Sequence, residues 1–133
     1  MIVLDTHALV WWVSDSRRLG ARARRAIDAA VRAKEPIGVS CISAWEIAML
    51  VKADRLRLAI PVDDWLAQVE LLPFFEFFPV DNRISLRAVT LDGLTHKDPA
   101  DRIIVATALG VGAALVTADE RLQAYRPLKT IWA

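Results

Sequence analysis

The stretch from His96 to Asp119 constrains the fold of this chain more than any other part of the sequence. Asp98 is a favourable helix N-cap, and Pro99 fits the first helical position, where its missing N–H costs nothing. The residues from Ile103 to Leu109 are almost all apolar. The pattern therefore predicts a largely buried helix that stops at one of two glycines shortly after Leu109.

A short apolar run from Ala113 to Val116 follows this helix and is typical of a strand covered on both faces. Thr117 and Asp119 come directly after the run, at its carboxyl end. Because ligands bind at the carboxyl ends of strands in open α/β sheets, Asp119 becomes a candidate site residue.

Short apolar runs also alternate with helical patterns along the rest of the chain. Further strands are predicted over 1–4, 37–40, 77–80 and 130–132, and further helices over 8–13, 19–34, 62–72, 84–91 and 120–124, with one more beginning at Ser43. The alternation predicts an α/β fold with a mainly parallel sheet covered by helices on both faces. Pro79 marks the third strand as short or as an edge.

The composition excludes several classes of protein. No apolar run approaches the ~18 residues that span a bilayer, and no basic segment precedes an apolar one at the start, so we expect no membrane association. The single cysteine, Cys41, excludes an internal disulfide and a cysteine-based metal site, which favours a cytoplasmic setting. We expect one domain over residues 1–133. A hydrophobic content of 55% predicts buried helices or a sizeable interface.

Basic residues concentrate in one segment although the whole chain has a net charge of only +1. Residues 17–35 carry seven basic and two acidic side chains, a local charge of +5. Arg18, Arg22 and Arg25 share the polar face of the helix predicted there, so they are candidates for contacts with an RNA backbone. A solvated helix face explains the same pattern.

Four carboxylates are predicted at equivalent places, each close to a strand's carboxyl end or in the first turn of a helix: Asp5, Glu46, Asp101 and Asp119. Asp98 is a fifth candidate, whose role as a helix cap already explains it. Capping also explains the other acids one by one, because helix N-termini favour negative charge.

Glu46 has a complete explanation of this kind, since Ser43 and Glu46 form the Ser-x-x-Glu pattern of a capping box. Capping does not explain why so many acids converge at one sheet edge. Adjacent carboxylates repel one another unless a cation lies between them. Mg²⁺ or Mn²⁺ suits such a site, because these ions take carboxylates, water and phosphate oxygens as ligands.

Four motifs in order resemble the PIN-domain ribonucleases, and more closely the VapC-type toxins of bacterial toxin–antitoxin pairs: Leu4-Asp5-Thr6, Ser43-Ala44-Trp45-Glu46-Ile47, Asp98-Pro99-Ala100-Asp101-Arg102 and Leu115-Val116-Thr117-Ala118-Asp119. The resemblance covers essentially the whole chain. It implies a three-layer α/β/α fold, RNA cleavage dependent on Mg²⁺ or Mn²⁺, a homodimer and a cognate antitoxin. By position it assigns catalysis and metal binding to the four acids above, with Thr6, Thr117 and Asp98 in support.

Two other interpretations remain open at this stage. A Mg²⁺-dependent phosphatase of the haloacid dehalogenase type also places an aspartate after its first strand, but it needs a second one where this chain has His7. A non-catalytic binding module would use the acids only as helix caps.

Large apolar side chains close to the acids in sequence indicate where an antitoxin would bind. Trp11, Trp45 and Met49 are expected to contact an apolar helix or strand of the partner. A basic side chain of the partner would then reach the acidic cluster, where it would compete with metal.

Overall fold

A five-stranded sheet lies at the centre of the computed structural model, which describes residues 1–133. The strands are β1 (Ile2–Leu4), β2 (Ile37–Ser40), β3 (Phe75–Phe78), β4 (Ala114–Val116) and β5 (Thr130–Ile131). Their order in the sheet is β3-β2-β1-β4-β5, and every neighbouring pair is parallel. The predicted parallel sheet is confirmed, and β3 is an edge strand as Pro79 indicated.

Seven helices connect and cover these strands: α1 (Thr6–Val13), α2 (Ala21–Arg32), α3 (Ile42–Lys52), α4 (Val62–Glu70), α5 (Asn82–Val89), α6 (Pro99–Gly110) and α7 (Glu120–Gln123). One apolar cluster joins buried residues of α1, α2, α3 and α4 to the sheet, and a second joins α6 and α7 to it. Helices therefore cover both faces, which confirms the three-layer α/β/α fold. None of the helices combines the length and apolar character needed to cross a bilayer.

The central strands are short apolar runs because both of their faces are covered. All four residues of β2 are buried, and so are Val3 and Leu4 of β1. At Gly38 an added Cβ would come within 2.8 Å of the Phe78 ring and 3.0 Å of a Val3 methyl group. Glycine at this position allows β2 to pack closely against its neighbours.

Several predicted element boundaries are wrong by one or two residues, among them those of α1, α4 and α5. For α2 and β3 the structure shows long-range contacts at the observed boundary. The helix predicted over 19–34 begins at Ala21, and the backbone N–H of Ala23 donates to the carbonyl of Trp132. The residue that follows β5 thus satisfies a free N–H in the first turn of α2. The third strand covers 75–78 rather than 77–80, in register with β2 from Ile37 to Ser40.

The predicted capping box at the start of α3 is also wrong. The helix begins at Ile42, so Ser43 lies inside its first turn and does not cap it. The Ile42 N–H donates to the Ser40 hydroxyl at 3.2 Å instead. Ser43 is fully buried, and its hydroxyl lies 2.9 Å from the Thr6 hydroxyl. Glu46 is therefore not part of a capping box, and helix capping does not explain its presence here.

Candidate metal centre

A cleft of about 540 Å³ opens at the carboxyl ends of β1, β2 and β4, next to the N-terminus of α6. Five carboxylates line it: Asp5, Glu46, Asp98, Asp101 and Asp119. These are the five acids that the sequence singled out, and the parallel sheet brings them together.

Asp5 lies deepest in this group, at the end of β1. Its Oδ1 accepts a hydrogen bond of 2.9 Å from the backbone N–H of Ala8 and so caps α1. The residue is only 7% exposed, and this burial raises its pKa to about 6, although hydrogen bonding to Thr117 and Ala8 opposes the shift. Asp5 thus both caps a helix and lines the cleft.

Glu46 is held by a short hydroxyl network that links α1 to α3. The Thr6 hydroxyl donates to Oε1 of Glu46 and also contacts the Ser43 hydroxyl. Burial raises the pKa of Glu46, and the nearby charges of Asp101 and Asp98 act in the same direction. The support predicted for Thr6 takes the form of a direct hydrogen bond to a site acid.

Asp101 connects α6 to a histidine that the sequence analysis did not select. Asp98 caps α6 by accepting the Asp101 N–H at 3.1 Å, as predicted. The carboxylate Oδ2 of Asp101 lies 2.6 Å from Nε2 of His96, which is 8% exposed. Burial raises the pKa of Asp101, partly offset by the bond to His96.

The backbone that carries His96 is fixed by Arg102. Its guanidinium donates to the carbonyls of His96, Leu94 and Ala88 at 2.8–2.9 Å. The sequence analysis did not select His96 as a site residue. The available signal was its position five residues before Asp101, close to the N-terminus of the same helix.

Asp119 lies at the end of the segment after β4, and Thr117 shapes that segment. The Thr117 hydroxyl accepts the Asp119 N–H at 3.1 Å. Asp119 caps α7 and forms an ion pair of 3.1 Å with Arg121. Partial burial would raise the pKa of Asp119, but the hydrogen bonds and charge of Arg121 outweigh it and lower the pKa.

Two sets of ligand atoms in the cleft are compact enough for one cation. Oxygens of Glu46, Asp98 and Asp101 lie within 4.8 Å of one another, and so do the ligand atoms of His96, Asp101 and Asp119. Ligands on opposite sides of Mg²⁺ are about 4.2 Å apart, so the three carboxylates of the first set fit a small hard ion with little adjustment. In the second set Nε2 of His96 is hydrogen-bonded to Asp101, which leaves the oxygens of Asp101 and Asp119 as the ligands. Asp5 lines the same cleft without belonging to either set, and its part in metal binding stays a prediction.

Cations also line the cleft, but only one of the three predicted arginines is among them. Arg18 lies in the turn before α2 rather than on the helix, and it lines the cleft with Arg55 and Arg121. Arg22 and Arg25 are exposed on α2, away from the cleft lining. Sequence reasoning missed Arg55 and Arg121, since no local charge cluster marks them.

Comparison with known proteins places this architecture in a family. The profile of the PIN domain matches residues 2–127. The chain belongs to the PIN domain family. The protein is also 37% identical over 133 residues to Ribonuclease VapC22 of Mycobacterium tuberculosis, with 98% of each chain covered.

Solved structures share the PIN fold at low sequence identity. VapBC2 from Rickettsia felis, bound to a DNA fragment of its promoter, matches with a TM-score of 0.69 and 17% identity, and all of both chains is covered. A toxin–antitoxin complex from Klebsiella pneumoniae matches with a TM-score of 0.64 and 21% identity over 97% of this chain and 99% of the other. Membership of the PIN family removes the haloacid dehalogenase alternative.

Proposed function

We propose that this PIN domain is an endoribonuclease toxin of a toxin–antitoxin pair that hydrolyses RNA phosphodiester bonds in the cytoplasm with Mg²⁺ or Mn²⁺. The observation that carries the proposal is the convergence of five carboxylates in one cleft of the PIN fold. The 37% identity to a protein named as a ribonuclease supports the choice of RNA.

The cation would be held by Asp101 together with Glu46 and Asp98, and Asp119 would complete the site or hold a second ion. When bound, Mg²⁺ or Mn²⁺ supplies Lewis-acid activation of water and of the scissile phosphate. The protein's own contribution is orientation, since Thr6 fixes the Glu46 carboxylate and His96 fixes that of Asp101. A rigid arrangement avoids the cost of reorganising these groups during the reaction.

The cations of the cleft would act on the substrate. The guanidinium groups of Arg18 and Arg55 form no ion pair with the carboxylates, although they line the same cleft. They are therefore free to bind the phosphates on either side of the scissile bond. Arg22 and Arg25 could extend that contact along α2.

An antitoxin is proposed as the protein partner, in line with the structural match to a toxin–antitoxin complex from Klebsiella pneumoniae. Trp45 is 56% exposed and Met49 43% exposed, and Met49 lines the acidic cleft. These side chains offer an apolar surface that leads to the acids. The homodimer implied by the resemblance is proposed as well, and Leu86 and Val89 of α5 are exposed enough to contribute to it.

The test is RNA cleavage by purified protein, with Asp101→Asn as the decisive variant. Wild type should cleave total RNA with Mg²⁺ or Mn²⁺ and be inactive in EDTA, and Asp101→Asn should lose at least about a hundredfold in rate. Asp81→Asn is the matched control, because Asp81 caps α5 outside the cleft. Full activity in Asp101→Asn would contradict the proposal.

Metal binding is measured separately by thermal unfolding. Mn²⁺ at a hundredfold excess over its Kd should stabilise wild type by about 2.7 kcal/mol. Asp101→Asn should lose this stabilisation, whereas Asp81→Asn should keep it. If the acids act only as helix caps, Mn²⁺ will raise the melting temperature of neither wild type nor Asp81→Asn.

A further inference from the structure

Aromatic side chains of α1 form part of the wall of the acidic cleft. His7 and Trp11 lie one turn apart on the same face of the helix, and both line the cleft with Asp5. Their ring centroids are 5.3 Å apart, with an angle of 51° between the ring planes. The Trp132 ring supports Trp11 at 5.8 Å and does not itself line the cleft.

A cation completes this aromatic wall. The guanidinium carbon of Arg18 lies 5.9 Å from the centroid of the Trp11 ring, within the range of a cation–π contact. The Arg18 guanidinium makes no hydrogen bond or ion pair. Two aromatic rings and an unpaired guanidinium thus line the same cleft as the five carboxylates.

Trp12, the next residue in α1, has a purely structural role by contrast. Trp12 packs edge-on against Phe74 and Phe75, and its indole N–H donates to Asp28 at 3.0 Å. Trp12 does not line the cleft. Neither Trp11 nor the exposed His7 has a side-chain hydrogen bond, so their polar groups are free for a ligand.

Unpaired RNA bases are the ligands that suit such a wall. Proteins recognise single-stranded RNA by stacking its bases on aromatic rings and arginine guanidinium groups while cations bind the backbone. Bases in a duplex already stack on one another and cannot offer a face. His7 and Trp11 lie next to Asp5. A base stacked on them would therefore be close to the phosphate that the acidic cluster binds.

We propose that His7 and Trp11 form a stacking site for one unpaired nucleobase beside the scissile phosphate, while the Arg18 guanidinium binds the backbone next to that base. The proposal rests on the ribonuclease function proposed above. It assigns Trp11 to RNA and leaves Trp45 and Met49 to the antitoxin.

Binding of two single-stranded probes with the same backbone charge tests the site. Decauridylate carries bases, whereas a ten-unit abasic ribose-phosphate chain does not. Affinities are measured in the Asp101→Asn background in EDTA, so the outcome depends neither on cleavage nor on metal binding. This background should bind decauridylate about 5- to 150-fold more tightly than the abasic chain, which is the range expected for one stacked base.

Substitutions in α1 then locate the source of this preference. Trp11→Leu should bind both probes equally, and Trp11→Phe should retain most of the preference because a ring remains. Trp12→Leu is the matched control, the same change one residue away and outside the cleft, and should keep the full preference. His7→Ala alters an exposed residue and provides a second test should Trp11→Leu unfold.

An undiminished preference in Trp11→Leu and His7→Ala would overturn the proposal. So would equal binding of both probes by the unsubstituted background, which would leave Trp11 as a candidate contact for the antitoxin. Both results are independent of nuclease activity, whose absence in wild type would instead contradict the proposed function.

Discussion

Nε2 of His96 lies 2.6 Å from Oδ2 of Asp101 and 3.6 Å from Oδ2 of Asp119, although His96 is almost completely buried. The buried imidazole is therefore hydrogen-bonded to one acid of the cleft and lies close to a second acid from a different segment. Hydrogen bonds of this kind orient a metal-binding carboxylate and set its affinity for the ion.

Removal of this hydrogen bond should therefore weaken metal binding. His96→Leu should lower the affinity for Mn²⁺ by about 10- to 100-fold, measured by isothermal titration calorimetry. His96→Gln keeps an N–H donor and should recover a large part of the affinity. A packing role alone would predict a similar loss of melting temperature in both variants and no difference in Mn²⁺ affinity.

The metal-free protein should become less stable as the pH rises from about 4 to above 6, relative to Asp5→Asn. Burial raises the pKa of Asp5 to about 6 from its ordinary 3.8, so the folded state binds the proton more tightly than the unfolded chain does. The stabilisation that the folded protein gains from protonated Asp5 is complete below pH 4 and is lost as the pH passes through 6. It amounts to about 3 kcal/mol.

The measurement is urea unfolding of wild type and Asp5→Asn in EDTA between pH 4.5 and 8. Asn can still accept the Ala8 N–H, so the substitution removes the charge and keeps the cap. The variant should be the more stable protein at pH 8, and its advantage should shrink towards pH 4.5. A constant difference across this range would show that the Asp5 carboxylate is not destabilised by burial.

The three arginines predicted to contact RNA, Arg18, Arg22 and Arg25, should contribute unequally to its binding. Arg18→Ala should weaken binding of a single-stranded RNA and reduce the slope of log K against log salt by about 0.7, the value for one phosphate contact. Arg22→Ala and Arg25→Ala should change the slope less, because these side chains lie on α2 outside the cleft. An equal reduction of the slope in all three variants would show that the RNA also contacts α2.

The antitoxin surface is tested by co-purification with the product of the neighbouring gene. Trp45→Ala and Met49→Ala should each raise the Kd of the complex about 5- to 30-fold, as truncation of an interface anchor does. Their exposure predicts little change in melting temperature. Leu71→Ala, a change in a residue that is 81% exposed after α4, should leave the Kd unchanged.

Excess Mn²⁺ provides a further check on this surface. If a basic side chain of the antitoxin enters the acidic cleft, Mn²⁺ will compete with it and loosen the complex. A complex that responds neither to Mn²⁺ nor to the two substitutions would place the antitoxin on another face of the protein.

The sequence alone was sufficient to predict the parallel sheet, the acids that line the cleft and the protein family. Strands buried on both faces must be continuous apolar runs, and a residue that follows a parallel strand must lie at the carboxyl edge of the sheet. Asp5 and Asp119 could therefore be assigned to one edge from their positions in the chain. Asp98 could be identified as the cap of α6 because an aspartate directly before a proline is a local signal for a helix start.

Only the tertiary structure decided how these acids are held. The bond between Thr6 and Glu46 joins residues 40 positions apart, and no local rule connects them. The capping box failed for the same reason, since Ser43 bonds to Thr6 rather than to its own helix. Arg18 lines the cleft from the turn before α2, whereas Arg22 and Arg25 of the same basic segment do not. Local pattern determines which residues lie at the ends of elements, whereas long-range packing determines which partners their side chains meet.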